Sequence, residues 1–553
     1  MRRRVRRSEE QRAATAADAN VVRPAVREDT LAMVMCALAA VFVAMAVCLS
    51  KNYTLLYGDA VAHLGIARRI LDAREPGWGQ LGGVWLPLPH LLMLPFVQRM
   101  EWWQNGMAGT WPSMLCYVAA VAGFYRLARR MMIDRWAVAA TAFFGLNPNL
   151  LYLSTTAMSE PLFVALMVWT VLTTVECIAA IRAGTVRVVQ RKLLQTGWLV
   201  MAAVLTRYDG WVLGAAAWCW LAWELRRSGL WSAAGKSFRW FTVLAVAGPL
   251  AWMGYNAKFF HDPLDFLWGP YSASAILRRT TPSGTTFYPG WHDPFYALRL
   301  YMRTAQADAA AWAAGYLVVA AAAEGLWLTW WRRLPRAVTL LWVPVPFYVY
   351  SIAYGSVPIF IPLLWPHSYY NSRYGMAMLP ALAMFAFLAL AGAEDWMRGR
   401  AEPEWKLAAR VMQPIALALI ALNTVMMMHA TPLVLKEAQV NASTRVSFER
   451  ALANTLGGLP PGATVLMSSS NHIGALERAG ISLRQTVNEG DYIEWPPAML
   501  DPSRAAAYVI AMQGDPVDVA VKAHPEGLTE LSIVCSTGQS CARVYKSDVY
   551  GVH

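Results

Sequence analysis

Apolar residues in this chain come in runs of about 20, the length that crosses a bilayer core as a helix, separated by short polar connections. The runs predict spans near 30–50, 107–127, 136–153, 160–181, 193–206, 210–225, 240–260, 306–330, 337–357, 375–394 and 409–430, about 11 helices in all. After the first span the pattern changes. Asp59, His63, Ile66 and Ile70 recur at helical spacing in an amphipathic stretch that ends Ala67-Arg68-Arg69-Ile70-Leu71-Asp72. A turn through Pro76-Gly77-Trp78-Gly79 then leads to a shorter apolar segment from Trp85, so two interfacial helices are expected in this first outer loop. Beyond about residue 431, apolar runs shorten to strand length at 464–467, 481–484 and 531–534 and alternate with helical stretches. The expected architecture is an all-α polytopic membrane domain with a small C-terminal α/β soluble domain, divided as a basic tail (1–28), a transmembrane domain (29–435) and an outer domain (436–553).

Composition narrows this further. Of 553 residues, 57% are hydrophobic and 15% charged, with a mean hydropathy of +0.34, too apolar for a soluble core of ordinary composition. The net charge of +13 invites a nucleic-acid partner, but its distribution argues otherwise. Basic residues gather in alternate connections: Arg126, Arg129, Arg130 and Arg135; Arg182, Arg187, Arg191 and Lys192; Arg226, Arg227, Lys236 and Arg239; Arg332, Arg333 and Arg336; Arg398, Arg400, Lys406 and Arg410. That is the positive-inside pattern of a multi-pass protein of the cytoplasmic (inner) membrane, N-terminus inside and C-terminal domain outside, with no nucleic acid as partner. Arg2, Arg3, Arg4, Arg6 and Arg7 before the first run suit a retained signal anchor. Trp102, Trp103, Trp111, Trp136, Trp240, Trp331 and Trp396 fall near span ends, as an aromatic belt would. Cys535 and Cys541 bracket a hairpin-like turn, a spacing that suits a disulfide in an oxidising exterior and equally two unpaired thiols. The other five cysteines read as small core residues of the spans.

No Walker loop, CxxC pair or HExxH is present, and no dinucleotide fingerprint follows a strand. What stands out is polarity at the outer span ends: Tyr57-Gly58-Asp59 with His63, Ser159-Glu160-Pro161-Leu162-Phe163, Thr206-Arg207-Tyr208-Asp209-Gly210-Trp211, and Pro366-His367-Ser368-Tyr369-Tyr370-Asn371-Ser372-Arg373-Tyr374. Each has an ordinary explanation, since Asp59 and Glu160 suit helix N-termini and Arg207 and Asp209 can pair with one another. Their concentration on one side of the membrane is less readily ordinary.

Together these segments resemble the GT-C membrane glycosyltransferases, closest to the lipid-phosphate-sugar-dependent branch of protein O-mannosyltransferases and bacterial aminoarabinose transferases. The resemblance covers most of residues 30–430. It implies a polyprenyl-phosphate sugar as donor, no required cofactor, and a first-loop carboxylate, here Asp59, as catalytic base. The pattern of the wider family has an acidic pair where this chain has Asp59-Ala60, so a divalent cation stays an open question and no metal ligands are assigned. A phosphate leaving group needs positive charge more than a general acid. Arg207 and Arg373 are the first candidates, with Lys258 and Arg278 behind them. Tyr208, Tyr369 and Tyr374 could bond phosphate or sugar, and His63, Glu160, Asp209 and His367 could orient base or substrate. The expected partners are membrane lipid, the lipid-linked donor and a glycan, lipid or protein acceptor. The expected reaction is inverting transfer to an acceptor hydroxyl at the outer face. Two other readings stand beside it: a transporter or flippase of lipid-linked sugar, whose signature would be acids such as Glu176, Glu224 or Glu324 in the bilayer, and a non-catalytic envelope glycan assembly protein.

Overall fold

In a computed structural model of the chain, residues 25–551 are described, apart from 283, 284, 286, 333 and 471. The N-terminal Arg2, Arg3, Arg4, Arg6 and Arg7 and the connection residue Arg333 lie outside the described residues.

Helices stand at most of the predicted apolar runs, because in an apolar setting a segment can satisfy its own backbone hydrogen bonds only as a helix. Among the described residues six are long and apolar enough to cross a membrane: Asp29–Ser50, Met107–Met131, Glu160–Arg182, Arg336–Tyr354, Ser372–Arg398 and Pro403–Gly457. A seventh crossing arises if Pro294–Ala309 and Ala314–Trp331, bent by 111°, count as one. Length and apolarity thus do not carry the figure of about 11. Val186–Val204, Asp209–Ser228 and Trp231–Phe260 are helices at expected spans, but their Arg, Lys and Trp content lowers their hydropathy. Two expected spans are broken. The run 136–153 becomes Asp134–Gly145 and Pro148–Leu153, because Asn147 accepts from the N–H groups of Asn149 and Leu150 and starts a new helix with Pro148 at its first turn. The run 306–330 starts only at Ala314, after residues 310–313 turn the chain.

Burial sorts the helices by depth. The window of Ser372–Arg398 is 89% buried in protein whereas that of Asp29–Ser50 is 17% buried, so the former is central and the latter peripheral. Two of the belt tryptophans belong to the interior instead: Trp103 and Trp136 are fully buried, and Trp136 Nε1 donates to Glu394 Oε2 at 2.6 Å. Trp240, Trp331 and Trp396 are exposed. Of the five unpaired cysteines, Cys36 and Cys219 are exposed rather than core.

The first loop forms two helices, Gly58–Asp72 and Leu88–Val97. The first buries His63, Ile66 and Ile70, as its spacing predicted, but also Ala60, Val61, Leu64, Gly65, Ala67 and Arg68, so it is packed on more than one side. After Pro403–His429 a helix Leu433–Gly457 runs into the C-terminal segment. There strands β1 (Val465–Met467), β2 (Thr486–Val487), β3 (Tyr508–Met512), β4 (Leu528–Val534) and β5 (Ala542–Ser547) form one sheet in the order β2-β1-β3-β5-β4. Pairings β1–β2 and β1–β3 are parallel, β3–β5 and β4–β5 antiparallel. Residues 481–484 are not a strand: Leu483–Gln485 is a 3-10 turn leading into β2, because Ser482 Oγ accepts from the Arg484 N–H and tightens the backbone. Strands β2, β3 and β5 lie outside the strand-length runs predicted from the sequence. Cys535 and Cys541 are joined by a disulfide across the β4–β5 hairpin, with Cα atoms 4.4 Å apart.

The C-terminal segment is fastened to the first loop by polar contacts. Ser482 donates to Asp72 at 2.6 Å, Gln80 to the Gly490 carbonyl at 2.8 Å, and Arg74 pairs with Glu494 at 2.5 Å.

Candidate active site

The site is assembled from the starts of helices and the turns just before them, where unsatisfied N–H groups favour carboxylates. Asp59 is the second residue of Gly58–Asp72. Glu160 opens Glu160–Arg182, with Pro161 in its first turn. The connection before Glu160 is locked because the Thr155 and Thr156 carbonyls accept from Thr110 and Ser113 of a neighbouring helix, at 2.9 and 2.6 Å. Arg207 precedes Asp209–Ser228. The turn that holds it is tight enough that a Cβ on Gly210 would lie 2.4 Å from the Ala203 carbonyl oxygen, which is why glycine follows Asp209. Arg373 sits in the 3-10 turn Ser372–Met378.

These four segments converge on an alternating cluster of acids and arginines. Arg373 pairs with Asp59, with Glu160 at 3.3 Å and with Glu437 at 3.2 Å. Arg207 pairs with Glu160 at 3.2 Å and Asp209 at 3.4 Å, and donates to Ser159 Oγ at 3.0 Å and Tyr348 Oη at 2.7 Å. The Tyr374 ring lies between the guanidinium groups, 5.2 Å from that of Arg207 and 4.9 Å from that of Arg373. Tyr57 lines the other side of Arg373 at 5.1 Å. Four carboxylates therefore share two arginines, and Glu160 Oε2 is buried without a hydrogen-bond partner. The Asp59 side chain is 42% exposed, while those of Arg373, Glu160 and Glu437 are 6%, 7% and 1% exposed. Asp59 is the member of the cluster that opens outward.

His63 lies one helical turn beyond Asp59, buried against Trp85 at 4.5 Å, with Nδ1 2.8 Å from His90 Nε2. Burial, opposed by the charges of Asp59 and Glu160, pushes its pKa down to about 4, so it is neutral near pH 7. Burial likewise holds His90 well below the usual histidine range.

Other predicted residues lie apart from the cluster. The Tyr208 hydroxyl donates to the Val84 carbonyl at 2.6 Å and accepts from Trp252 at 3.3 Å, which ties the first loop rather than facing Arg373. His367 is exposed, with Nδ1 2.9 Å from the Pro362 carbonyl. The Tyr369 carbonyl accepts from Asn441 at 3.2 Å, whereas its neighbour Tyr370, 44% exposed overall, has its hydroxyl raised to about 12 by local burial first and then by the Asp59 charge. Lys258 is exposed with its ammonium 5.1 Å above the Phe259 ring, and Arg278 is exposed on Ala273–Thr280. Neither forms an ion pair with the cluster among the described residues. Sequence reasoning missed Glu437, Tyr57, His90, Tyr348 and Tyr370. Tyr57 and Tyr370 stand inside segments already singled out, where no role is assigned to them. Glu437 gives no sequence signal, being one acid in a helix beyond the last apolar run.

Among the described residues no group of three or more His, Cys, Asp or Glu side chains could hold a metal ion. Each cluster carboxylate faces a guanidinium instead, so these residues do not fit a cation.

No family model matches the sequence, and no curated protein matches it. Solved structures do. ArnT from Cupriavidus metallidurans in the apo state is 14% identical, with a TM-score of 0.56, covering 96% of this chain and 100% of that one. The same protein bound to undecaprenyl phosphate is 15% identical, with a TM-score of 0.54, covering 95% and 99%. AglB, an oligosaccharyltransferase from Archaeoglobus fulgidus in complex with an inhibitory peptide and a dolichol-phosphate, is a looser likeness: 11% identity, TM-score 0.45, 86% and 69% covered. Over nearly its whole length the chain has the fold of ArnT.

Proposed function

We propose that this protein is an inverting glycosyltransferase that moves a sugar from a polyprenyl-phosphate carrier to an acceptor hydroxyl at the outer face of the membrane. The observation that carries the reading is Asp59, the outward-facing carboxylate on an otherwise buried acid–arginine cluster. The fold shared with ArnT, a protein seen with undecaprenyl phosphate bound, supports the donor class. A polyprenyl chain leaves lipid only at roughly 0.8 kcal/mol per exposed methylene, so a site at the helix ends meets the carrier's phosphate without extracting its tail.

In this reaction the acceptor oxygen bonds to the anomeric carbon as the carbon–oxygen bond to phosphate breaks on the opposite face. Asp59 takes the acceptor proton and the phosphate leaves with the bonding electron pair. Arg207 and Arg373 are the cations placed to receive it, by exchanging a carboxylate partner for a phosphate oxygen. Glu160 Oε1 pairs with both guanidinium groups and so keeps the two cations side by side. The basic connections Arg126–Arg135 and Arg182–Lys192 lie at the other end of the helices, which supports an outer location for the site.

The transporter reading finds less support. Glu176 is paired with Arg130 at 2.8 Å and Lys192 at 2.5 Å, and Glu224 with Arg182 at 2.8 Å, which ties these acids to the basic connections instead of leaving them along a midplane path. The deciding experiment is Asp59→Asn, which preserves shape and N-terminal capping but not basicity. Given labelled polyprenyl-phosphate sugar and envelope extract, the variant is expected to bind donor like the parent and to lose transfer roughly 10²–10⁴-fold. Near-parental transfer by folded Asp59→Asn would remove Asp59 as the base.

A further inference from the structure

Glu437 lies outside every motif that carries the resemblance, yet it makes more contacts to the site than a helix residue of the C-terminal segment would need for packing. It is 1% exposed. Its carboxylate accepts from three consecutive residues: the backbone N–H of Asn371 at 3.0 Å, the N–H of Ser372 at 2.6 Å together with the Ser372 hydroxyl, and Arg373 Nη1 at 3.2 Å. Asn371 adopts a left-handed backbone, φ 54°, which asparagine tolerates better than most non-glycine residues but which is sharpened when its surroundings fix it. The carboxylate bonded to its N–H supplies that fixing. One side chain thus holds both the turn that presents Arg373 and the guanidinium itself.

The helix that carries Glu437 also grips the other half of the Asp59–Arg373 pair. The Val434 carbonyl accepts from the Tyr57 hydroxyl at 2.9 Å, and the Val434 N–H donates to Asn149 Oδ1 at 2.9 Å. Arg445, held by Glu449 at 2.8 Å, donates to the Leu55 and Leu56 carbonyls at 3.1 and 2.8 Å, just before Asp59. Asp59 and Arg373 are 314 residues apart in sequence and come from separate elements. Leu433–Gly457 is the element that touches the approaches to both.

We infer that Glu437 is a positioning residue of the active site: it orients Arg373 toward Asp59 and so couples the C-terminal segment to sugar transfer. This rests on the glycosyltransferase reading. A carboxylate acting through Arg373 affects turnover only while a guanidinium is there to be oriented, and a displacement of about 1 Å in such a group can cost on the order of 100-fold.

The test is a double-mutant cycle on the full-length protein with Glu437→Gln, Arg373→Lys and the pair. Three quantities are read: transfer from labelled polyprenyl-phosphate sugar, binding of undecaprenyl phosphate alone, and thermal unfolding in detergent. Glu437→Gln is expected to lower kcat roughly 10- to 100-fold with KM for donor changed less than about 3-fold, and to change Arg373→Lys less than about 3-fold further. Glu437→Asp, which keeps the charge, should recover part of kcat. A merely structural Glu437 would lower the unfolding temperature and act additively on Arg373→Lys. Additivity, or a Glu437→Gln protein as active as the parent, overturns the inference. If Glu437→Gln does not fold, Glu437→Asp carries the same cycle with the same criterion. A parent that neither binds undecaprenyl phosphate nor transfers sugar defeats the glycosyltransferase reading itself, an outcome distinct from additivity in an active parent.

Discussion

Arg373 and Arg207 each neutralise acids that are almost fully buried, so the donor recognition proposed for them would be superposed on a role in folding. Removing either leaves an uncompensated charge, Glu437 in one case and Asp209 in the other, each side chain 1% exposed. Arg207→Ala and Arg373→Ala should therefore destabilise by roughly 3–5 kcal/mol. They should also weaken undecaprenyl-phosphate binding by roughly 1.5–3 kcal/mol, the value of a charge-assisted hydrogen bond. Lysine should rescue only in part, lacking the planar fork that reaches several carboxylates. Unchanged affinity in both folded variants would shift the phosphate site to Lys258 or Arg278. His63 gives a separate pH prediction. Its folded pKa of about 4 lies below the ordinary value near 6.5, so the unfolded state binds its proton first as pH falls. Its contribution is therefore complete above pH 6.5 or so and is lost progressively between about 6.5 and 4, roughly 3 kcal/mol in all. Unfolding temperatures across that window should fall more steeply for the parent than for His63→Gln. Parallel curves would count against a buried neutral imidazole.

At the scale of elements, close helix approach is concentrated at a few small residues. A Cβ on Gly325 would lie 1.8 Å from the Phe385 carbonyl oxygen, so helices Ala314–Trp331 and Leu379–Arg398 meet backbone to backbone there. Gly325→Ala must push the central helix outward, at a cost of roughly 1–3 kcal/mol or more. Gly235, in the helix Trp231–Phe260, has nothing within 4 Å of its Cβ position, and Gly235→Ala should be neutral or stabilising by up to about 1 kcal/mol. Equal unfolding temperatures for the two variants would contradict this packing. The same scale explains the errors in the expected spans. Asn147-Pro148 carries a readable break signal, whereas the turn at residues 310–313 involves the Ala311 N–H donating to Asn423 on a distant helix, a contact that no local pattern announces.

For the whole molecule, the arrangement proposed places the cluster, the first loop and the C-terminal segment on one side of the membrane. Reporters fused after residues 130, 190, 230, 335 and 400 should then lie in the cytoplasm, and those after 90, 280 and 440 outside. A cytoplasmic signal after 440 would separate the C-terminal segment from the outer face and overturn the orientation. The contacts of Ser482, Gly490 and Glu494 with the first loop require 90 and 440 to report the same side whichever side that is.

By itself the sequence determined that the chain is a helical membrane protein, where most of its helices run, that an α/β segment follows them, and that Asp59, Glu160, Arg207, Asp209, Arg373 and Tyr374 belong to unusual polar segments. These are properties of local composition and period, which survive without knowledge of the partners. Only the tertiary structure decided that these segments form one cluster, that Tyr208 ties the first loop while the Tyr370 hydroxyl feels the Asp59 charge, and that Trp103 and Trp136 are interior. It also brought in Glu437, whose carboxylate meets Arg373 across 64 residues of sequence. The physical reason is that an ion pair between helices depends on how the helices stack and turn relative to one another, and a sequence pattern with a period of 3.6 records which face is apolar but not which neighbour that face meets.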